Sequence, residues 1–145
     1  MIIKQISIFV ENKAGRLAEI TEAIANAGID IRALSIADTT DFGILRLIVD
    51  KPEAAALALK EAGLTVSITN VIAVGIDDTP GAFSVPMRVL ADAGIDVEYM
   101  YAFISRDTQK AYVILRVADN DIATKALLDK GVTLLDENGF YGLVK

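Results

Sequence analysis

Apolar and polar residues alternate over residues 2–10, where positions 3, 6, 8 and 10 are apolar, and this period of two predicts a β-strand. From residue 15 to residue 27 the apolar residues recur three or four positions apart, which predicts a helix with one polar face. The full order is β-α-β-β-α-β, the ferredoxin-like arrangement of a four-stranded antiparallel sheet with two helices on one face. Its remaining elements are strands at 29–37, 43–49 and 64–76 and a helix through residue 62 that we expect Asp50 to cap.

The second half of the chain repeats this order at a fixed offset. Gly15 recurs as Gly81, 66 residues later, and the segment Ala-Gly-Ile-Asp at 27–30 recurs at 93–96. A fixed offset with matching turn glycines indicates an internal duplication. In this half Asn120 is the expected cap of the last helix, and the predicted elements are strands at 70–76, 95–105, 110–117 and 134–144 and helices at 83–93 and 121–130.

The predicted fold class is α+β, with two ferredoxin-like units packed together, residues 1–69 and residues 70–145. Units of about 70 residues are marginally stable alone. Residues 70–76 fit two places, as the last strand of the first unit and as the first strand of the second. Either 64–69 is a short closing strand, or the units share or exchange a strand and 139–144 completes the first unit.

Composition and charge exclude several classes of function. The net charge of −6 over 145 residues opposes binding to phosphate backbones, so we expect no nucleic-acid partner. The first residues lack the basic region and unbroken apolar run of a signal peptide, and the most apolar segment, 43–49, is too short to span a bilayer. With no cysteine for disulfides, we expect a cytoplasmic protein without a membrane partner.

Signals for catalysis and for metal binding are weak. The chain has no histidine and no cysteine, and it carries no nucleophile elbow, phosphate-binding loop or dinucleotide-binding motif. The adjacent carboxylates Asp77 and Asp78 are typical of a solvated turn. We therefore predict no catalytic residue, no cofactor and no metal site.

Three features resemble the ACT family of small amino-acid-sensing regulatory domains and indicate a tandem pair of them. Residues 12–17 (Asn-Lys-Ala-Gly-Arg-Leu) and 78–83 (Asp-Thr-Pro-Gly-Ala-Phe) are similar to the family's Asp/Asn-x-Pro-Gly-x-Leu loop, except that Ala14 stands where the family often has proline. The repeated Ala-Gly-Ile-Asp segment is the second feature, and residues 98–103 (Glu-Tyr-Met-Tyr-Ala-Phe) are the third. The resemblance covers nearly the whole chain.

The resemblance implies an allosteric regulatory protein without catalytic activity, a homodimer that binds a free amino acid and acts on a regulated protein partner. In the family, the ligand lies where the loop of one unit meets the start of the second strand of another. The ligand-binding residues implied are those of the two loops and the two strand starts: Asn12, Lys13, Ala14, Gly15, Leu17, Gly28, Ile29, Asp30, Ile31, Asp78, Thr79, Pro80, Gly81, Ala82, Phe83, Ile95, Asp96, Val97 and Tyr99.

A glycine turn before a helix suits a carboxylate, because free backbone N–H groups and the helix dipole provide positive potential there. Asn12 or Asp78 would either accept the ligand's ammonium group or cap the helix. Asp30 and Asp96 would bond either the neighbouring backbone or that ammonium group. Tyr99 would either pack in the core or line a pocket.

Two other functions stay open on the sequence alone. One is a protein–protein interaction module whose loops only cap helices. The other is a small ferredoxin-like enzyme, against which the absence of histidine argues. Amino-acid binding separates the sensor from the interaction module, and a turnover assay identifies the enzyme.

Overall fold

The alternating segments form strands and the segments of helical spacing form helices in the computed structural model, which describes residues 2–38, 41–103, 105 and 110–144. The chain divides into two compact units, one made of Lys4–Thr69 and the other of the residues from Asn70 onward with the start of the chain up to Ile3. The elements in chain order are β1 (Ile3–Glu11), α1 (Arg16–Asn26), β2 (Ile31–Asp38), β3 (Phe42–Val49), α2 (Pro52–Glu61), β4 (Thr65–Asp77), α3 (Ser84–Asp92), β5 (Val97–Phe103), β6 (Lys110–Val117), α4 (Asn120–Asp129), β7 (Thr133–Leu135) and α5 (Glu137–Val144).

The unit Lys4–Thr69 has the strand order β2-β3-β1-β4. β3 pairs antiparallel with β1 and with β2, and Ile8 lies directly opposite Leu45. Side chains alternate between the two faces of a strand, so one face of this sheet packs against α1 and α2. The core between that face and the helices contains Ile6, Ile8, Val10, Leu45, Leu47 and Val49 from the sheet, and Ile20, Ile24, Ala55 and Leu59 from the helices.

The second unit has the strand order β5-β6-β4-β7, again antiparallel. Its core lies between one face of the sheet and the helices α3 and α4: Ile72, Val74, Val113, Leu115, Val117 and Leu134 from the strands, and Leu90, Ala123 and Leu127 from the helices. The two units therefore share one order of elements and one sheet topology. The predicted α+β class and the ferredoxin-like arrangement of each unit are confirmed.

The duplication extends to the hydrogen bonds that end the first helix of each unit. The Ile29 N–H donates to the Ile24 carbonyl at 3.2 Å, and the equivalent Ile95 N–H donates to the Leu90 carbonyl at 2.9 Å. The boundary between the two units falls inside β4, which runs without interruption from Thr65 to Asp77.

The predicted strand at 134–144 is wrong beyond Leu135, because the chain turns there into α5. The Asp136 carboxylate accepts the Gly139 N–H at 2.7 Å, and the Asp136 carbonyl accepts the Phe140 N–H at 2.9 Å. Phe140 is fully buried, and its ring centroid lies 4.6 Å from that of Phe103. The apolar residues of this segment thus lie in a helix. Residues 139–144 therefore do not form the strand that would have completed the first unit.

Two predicted helix caps are also wrong. The Asp50 carboxylate accepts the Asp30 N–H at 3.0 Å and therefore does not cap α2, although Pro52 does lie in the first turn. The cap of α4 is Asp119, whose carboxylate accepts the Ile122 N–H at 3.0 Å, so that Asn120 becomes the first helical residue. Residues 39–40, 104 and 106–109, assigned by sequence to turns and to a strand end, lie outside the described residues.

Candidate functional site

The two predicted loops fold into the same backbone turn. In the first, the Lys13 N–H donates to the Glu11 carbonyl at 3.0 Å, and the Arg16 N–H donates to the Lys13 carbonyl at 3.3 Å. In the second, the matching bonds run from Thr79 to Asp77 at 2.9 Å and from Ala82 to Thr79 at 3.2 Å. Each turn leads directly from the end of a strand into the first residues of a helix.

A glycine is needed in each turn because the backbone there is left-handed. Gly15 has φ of 87° and Gly81 has φ of 84°, values that L side chains rarely adopt. A Cβ atom at either position would meet no atom within 4 Å, so the requirement comes from the backbone angle and not from crowding. Both glycines therefore face open space, where a ligand would have access to the turn.

The turns present backbone N–H groups without acceptors. Within the described part of the chain, the N–H groups of Gly15 and Leu17 have no hydrogen-bond acceptor, and neither do those of Gly81 and Phe83. The N-cap residues of α1 and α3 are Gly15 and Phe83, and neither makes a side-chain capping bond. These donors at a helix N-terminus favour a negatively charged group.

The second turn lines a cleft of about 410 Å³ that lies within the second unit. This volume is in the range of small-molecule sites. Thr79, Pro80, Gly81 and Ala82 form one side of the cleft, and the end of α4 with the start of β7 forms the other. Two lysines complete the lining, Lys110 and Lys130.

The two lysines of the cleft have different electrostatic surroundings. The Lys110 ammonium lies 3.1 Å from a carboxylate oxygen of Asp77, its register partner across the β4–β6 ladder. Lys130 follows the last residue of α4 and has no ion-pair partner among the residues that the structure describes. The charged side chains that line the cleft are these two lysines and Asp77, which leaves the lining with one uncompensated positive charge.

On the side of β2 and β3, residues of the first turn line a cavity of about 70 Å³ together with Ile36 and Gly43. Arg16 lies along this cavity, with one guanidinium nitrogen 3.1 Å from Glu19 and another 3.8 Å from Glu11. Leu17, one of the implied ligand-binding residues, is 46% exposed and lies outside the core cluster of its unit.

The strand starts lie at the opposite ends of α1 and α3 from the turns. α1 has 11 residues, which corresponds to a length of about 16 Å. Within one unit, therefore, the structure does not bring the predicted residues of the turn and of the strand start together. The turn and the strand start of one unit are therefore two separate surface sites.

The strand start of the first unit is largely occupied by its own contacts. Ile29 is buried in the core, and Ile31 packs against it. The Asp30 carboxylate lies 3.0 Å from the guanidinium of Arg32, while its backbone N–H bonds to Asp50. The carboxylate of Asp30 is thus engaged by a neighbouring side chain instead of by the neighbouring backbone.

The strand start of the second unit is more open. Gly94, Ile95 and Asp96 line a cavity of about 390 Å³. Asp96 is exposed and has no ion-pair partner within the described residues. Tyr99 and Val97 are half-buried on one face of β5, and Met100 is exposed on the other.

A model of the ACT domain pair family matches residues 1–144. This chain belongs to the ACT domain pair family. The tandem pair inferred from the repeated loops is therefore confirmed.

Several solved structures share the fold of this chain. Protein BT0572 from Bacteroides thetaiotaomicron is 41% identical over 97% of this chain and 96% of its own, with a TM-score of 0.90. The regulatory subunit of aspartate kinase from Thermus thermophilus is 19% identical over 87% and 91%, with a TM-score of 0.62. Aspartate kinase from Synechocystis is 23% identical over 93% of this ACT pair and 27% of its own chain, with a TM-score of 0.55. Among curated proteins no sequence matches the chain.

Four residues beside the turns of this ACT pair were not found by sequence reasoning: Glu19 and Arg16 at the first turn, and Lys110 and Lys130 at the second. Arg16 and Glu19 are three residues apart at a helix start, a spacing that permits a side-chain ion pair and could have been noticed. The lysines come from β6 and from the end of α4, far along the chain from residue 81. Only the strand register and the helix packing bring them to the turn.

Chemical groups that would indicate catalysis or metal binding are sparse in the described part of the ACT pair. No group of three or more His, Cys, Asp or Glu side chains suited to a metal ion is found there. The pKa of Glu53 is lowered by its hydrogen bond to Lys4, and the pKa of Lys125 is raised by its hydrogen bond to Asp129. None of these four groups lines a turn cavity. Among the described residues, no helix is long and apolar enough to cross a membrane.

Proposed function

We propose that this ACT pair is a regulatory protein that binds a free amino acid at the turn 78–83 and performs no catalysis itself. ACT domains are regulatory modules, which gives the class of function. The single observation that carries the proposal is the cleft of about 410 Å³ that is lined both by Gly81, whose N–H has no acceptor among the described residues, and by the unpaired Lys130. We place the protein in the cytoplasm, where free amino acids are sensed.

The cleft offers a partner for each charged group of an α-amino acid. The N–H groups of Gly81 and Phe83, at the N-terminus of α3, would bind the carboxylate. Lys130 would add positive potential on the other side of the cleft. The Asp77 carboxylate would accept a hydrogen bond from the ammonium group beside its present partner Lys110. The ligand's side chain would then extend toward Val85 and Pro86, which also line the cleft.

The strand starts, and above all Asp96, would contribute to a site only if a second ACT unit supplied them, because α1 and α3 separate turn and strand start within each unit. We propose that a second copy of the chain does so and that the protein is a homodimer. Sedimentation velocity with and without amino acids tests this part of the proposal. A monomer under both conditions would contradict it.

The experiment that tests ligand binding is a set of thermal melts with each of the twenty amino acids at about 5 mM. A ligand that binds only the folded state stabilises it by RT ln(1 + [L]/Kd), which is about 2.7 kcal/mol at a hundredfold excess over Kd. For a chain of this length that raises the melting temperature by several degrees. We expect a rise with one or two amino acids, and no rise with any of them would refute the proposal.

The variant Gly81→Asp locates the binding site, because its carboxylate would lie in front of the turn N–H groups. Gly63→Asp is the matched control. Gly63 has φ of 86° against 84° for Gly81, and a Cβ at either meets no atom within 4 Å. Both variants therefore carry the same backbone strain and the same added charge. We expect Gly81→Asp alone to lose the ligand-induced rise, and equal loss in both would contradict the location.

A second candidate function, a protein-interaction module, is favoured by an apolar patch on the helix-free face of the first unit's sheet. Phe9 and Phe42 stack at 5.0 Å while 49% and 44% exposed, and Ile44, opposite Phe9 in the ladder, is 38% exposed. Exposed apolar patches often mark docking surfaces. Two results together would favour the interaction module over the amino-acid sensor. No amino acid would bind, and the double variant Phe9→Gln/Phe42→Gln would sediment as a smaller oligomer than the wild type.

A further inference from the structure

We infer that only the second turn binds the ligand, and that the first turn is closed by an ion-pair bridge of its own, made by Arg16 with Glu11 and Glu19. The inference rests on the proposed function and decides how many sites one chain carries. It follows from comparing the two turns position by position. The two turns share their first two hydrogen bonds and a left-handed glycine, and the side chains around them differ.

The bridge spans the first turn from strand to helix. Glu11 is the last residue of β1, and Glu19 is in the first turn of α1. Arg16 reaches both, with one guanidinium nitrogen 3.1 Å from Glu19 and the other terminal nitrogen 3.8 Å from Glu11. The Arg16 side chain is only 27% exposed, so its stem lies along the protein surface beside the turn.

The bridge excludes a ligand by occupied volume and by charge. Ala82 and Val85 line the second cleft, and the longer side chains of Arg16 and Glu19 occupy the matching positions beside the first turn. The positive charges of Arg16 and Lys13 are compensated by Glu11 and Glu19, so the first turn, unlike the second cleft, offers a ligand carboxylate no uncompensated positive charge. Exposed ion pairs contribute little to stability, so the main effect of the bridge is to block ligand binding and not to stabilise the fold.

The second turn has no counterpart to this bridge. The positions that match Glu11, Arg16 and Glu19 at the offset of 66 are occupied by Asp77, Ala82 and Val85. Asp77 pairs with Lys110 and not with a residue of the turn, Ala82 has no charge, and Val85 is 53% exposed. Ala82 and Val85 both line the cleft of about 410 Å³ at this turn.

The first test compares Gly15→Asp with Gly81→Asp in thermal melts with each of the twenty amino acids. The two glycines have nearly equal φ and equally open surroundings, so the two variants lose similar stability without ligand. We expect Gly15→Asp to keep the full ligand-induced rise and Gly81→Asp to lose it. Calorimetric titration with the amino acid that gives the largest rise should show one site per wild-type chain.

The second test exchanges the side chains between the turns. Arg16→Ala/Glu19→Val gives the first turn the residues of the second, and we expect the number of sites per chain to rise from one to two. Ala82→Arg/Val85→Glu builds the bridge at the second turn, and we expect binding to be lost. All four positions are on the surface, and circular dichroism checks that each variant folds.

The outcomes separate this inference from the proposed function. Two sites per wild-type chain, or equal loss of binding in Gly15→Asp and Gly81→Asp, would overturn the inference and leave the proposed function standing. A single site that stays single in Arg16→Ala/Glu19→Val would overturn the role of the bridge. No binding of any amino acid by the wild-type chain would overturn the proposed function itself.

Discussion

The left-handed turn at Gly81 makes a quantitative prediction about stability. With φ of 84°, an L residue at this position is strained by about 1–2 kcal/mol. Its Cβ would meet no atom within 4 Å, so no packing cost is added. Reduced freedom of the unfolded chain offsets about 0.4–1 kcal/mol. Gly81→Ala should therefore lower the free energy of unfolding by about 1 kcal/mol, which corresponds to about 3 °C in melting temperature.

Urea denaturation of Gly81→Ala, Gly63→Ala and Gly75→Ala tests this reasoning. Gly63 has the same φ and the same open space, so its variant should lose the same amount. Gly75 has no positive φ, but a Cβ there would lie 2.9 Å from the Tyr112 ring and 3.2 Å from Thr133. Overpacking of this kind costs about 1–3 kcal/mol. A Gly81→Ala variant as stable as the wild type would refute the left-handed turn.

Three further predictions concern separate parts of the molecule. Phe140→Ala should lower the free energy of unfolding by about 3–5 kcal/mol, because the ring is fully buried, and a loss below 1 kcal/mol in urea denaturation would show that α5 does not dock. Lys130→Gln should weaken amino-acid binding about fivefold in calorimetry, because the attraction between the lysine and the ligand's carboxylate is worth about 1 kcal/mol for charges about 4 Å apart in water. The control Lys125→Gln changes a lysine outside the cleft and should bind the ligand as the wild type does. The hydrogen bond from Lys4 lowers the pKa of Glu53, so the pair stabilises the fold above the ordinary pKa of a glutamate and loses this effect as the pH falls through the lowered pKa. The variant Glu53→Gln should therefore lose less stability than the wild type when the pH is lowered, as measured by urea denaturation over a range of acid pH. An unchanged dependence of stability on pH would refute the role of this pair.

The duplication is what made the fold and the two turns predictable from the sequence. The repeat placed Gly15 and Gly81 at equivalent positions, and local backbone rules then required a turn before each helix. These are short-range relations, because each turn is made by hydrogen bonds between residues two or three positions apart. Local sequence therefore carried most of the information needed.

The helix caps and the structure of the C-terminal segment were harder to predict, because both depend on contacts with residues distant in the sequence. Asp50 could have capped α2, but its carboxylate bonds to the backbone of Asp30, which β-sheet pairing brings next to it. Residues 137–144 are apolar enough for a strand, yet the contact of Phe140 with Phe103 fixes them as a helix. Neither competition is visible from local periodicity.

The size of the two turn cavities was unpredictable for a similar reason. The second cleft depends on Lys130 and Thr133, which the packing of α4 and β7 brings beside residue 81. At the first turn the Arg16 side chain lies across the turn and pairs with Glu11 and Glu19, an orientation that the sequence allows but does not determine. The predicted site residues at both turns and both strand starts remain predictions until a ligand is observed.

The central claim is that a free amino acid binds at the second turn, and amide chemical-shift mapping tests it most directly. An ¹⁵N-labelled sample would be titrated with the amino acid that raises the melting temperature most. The account predicts that the N–H signals of Gly81 and Phe83 shift on titration while those of Gly15 and Gly63 stay in place. Shifts at Gly15 with none at Gly81, or no shift with any of the twenty amino acids, would contradict it.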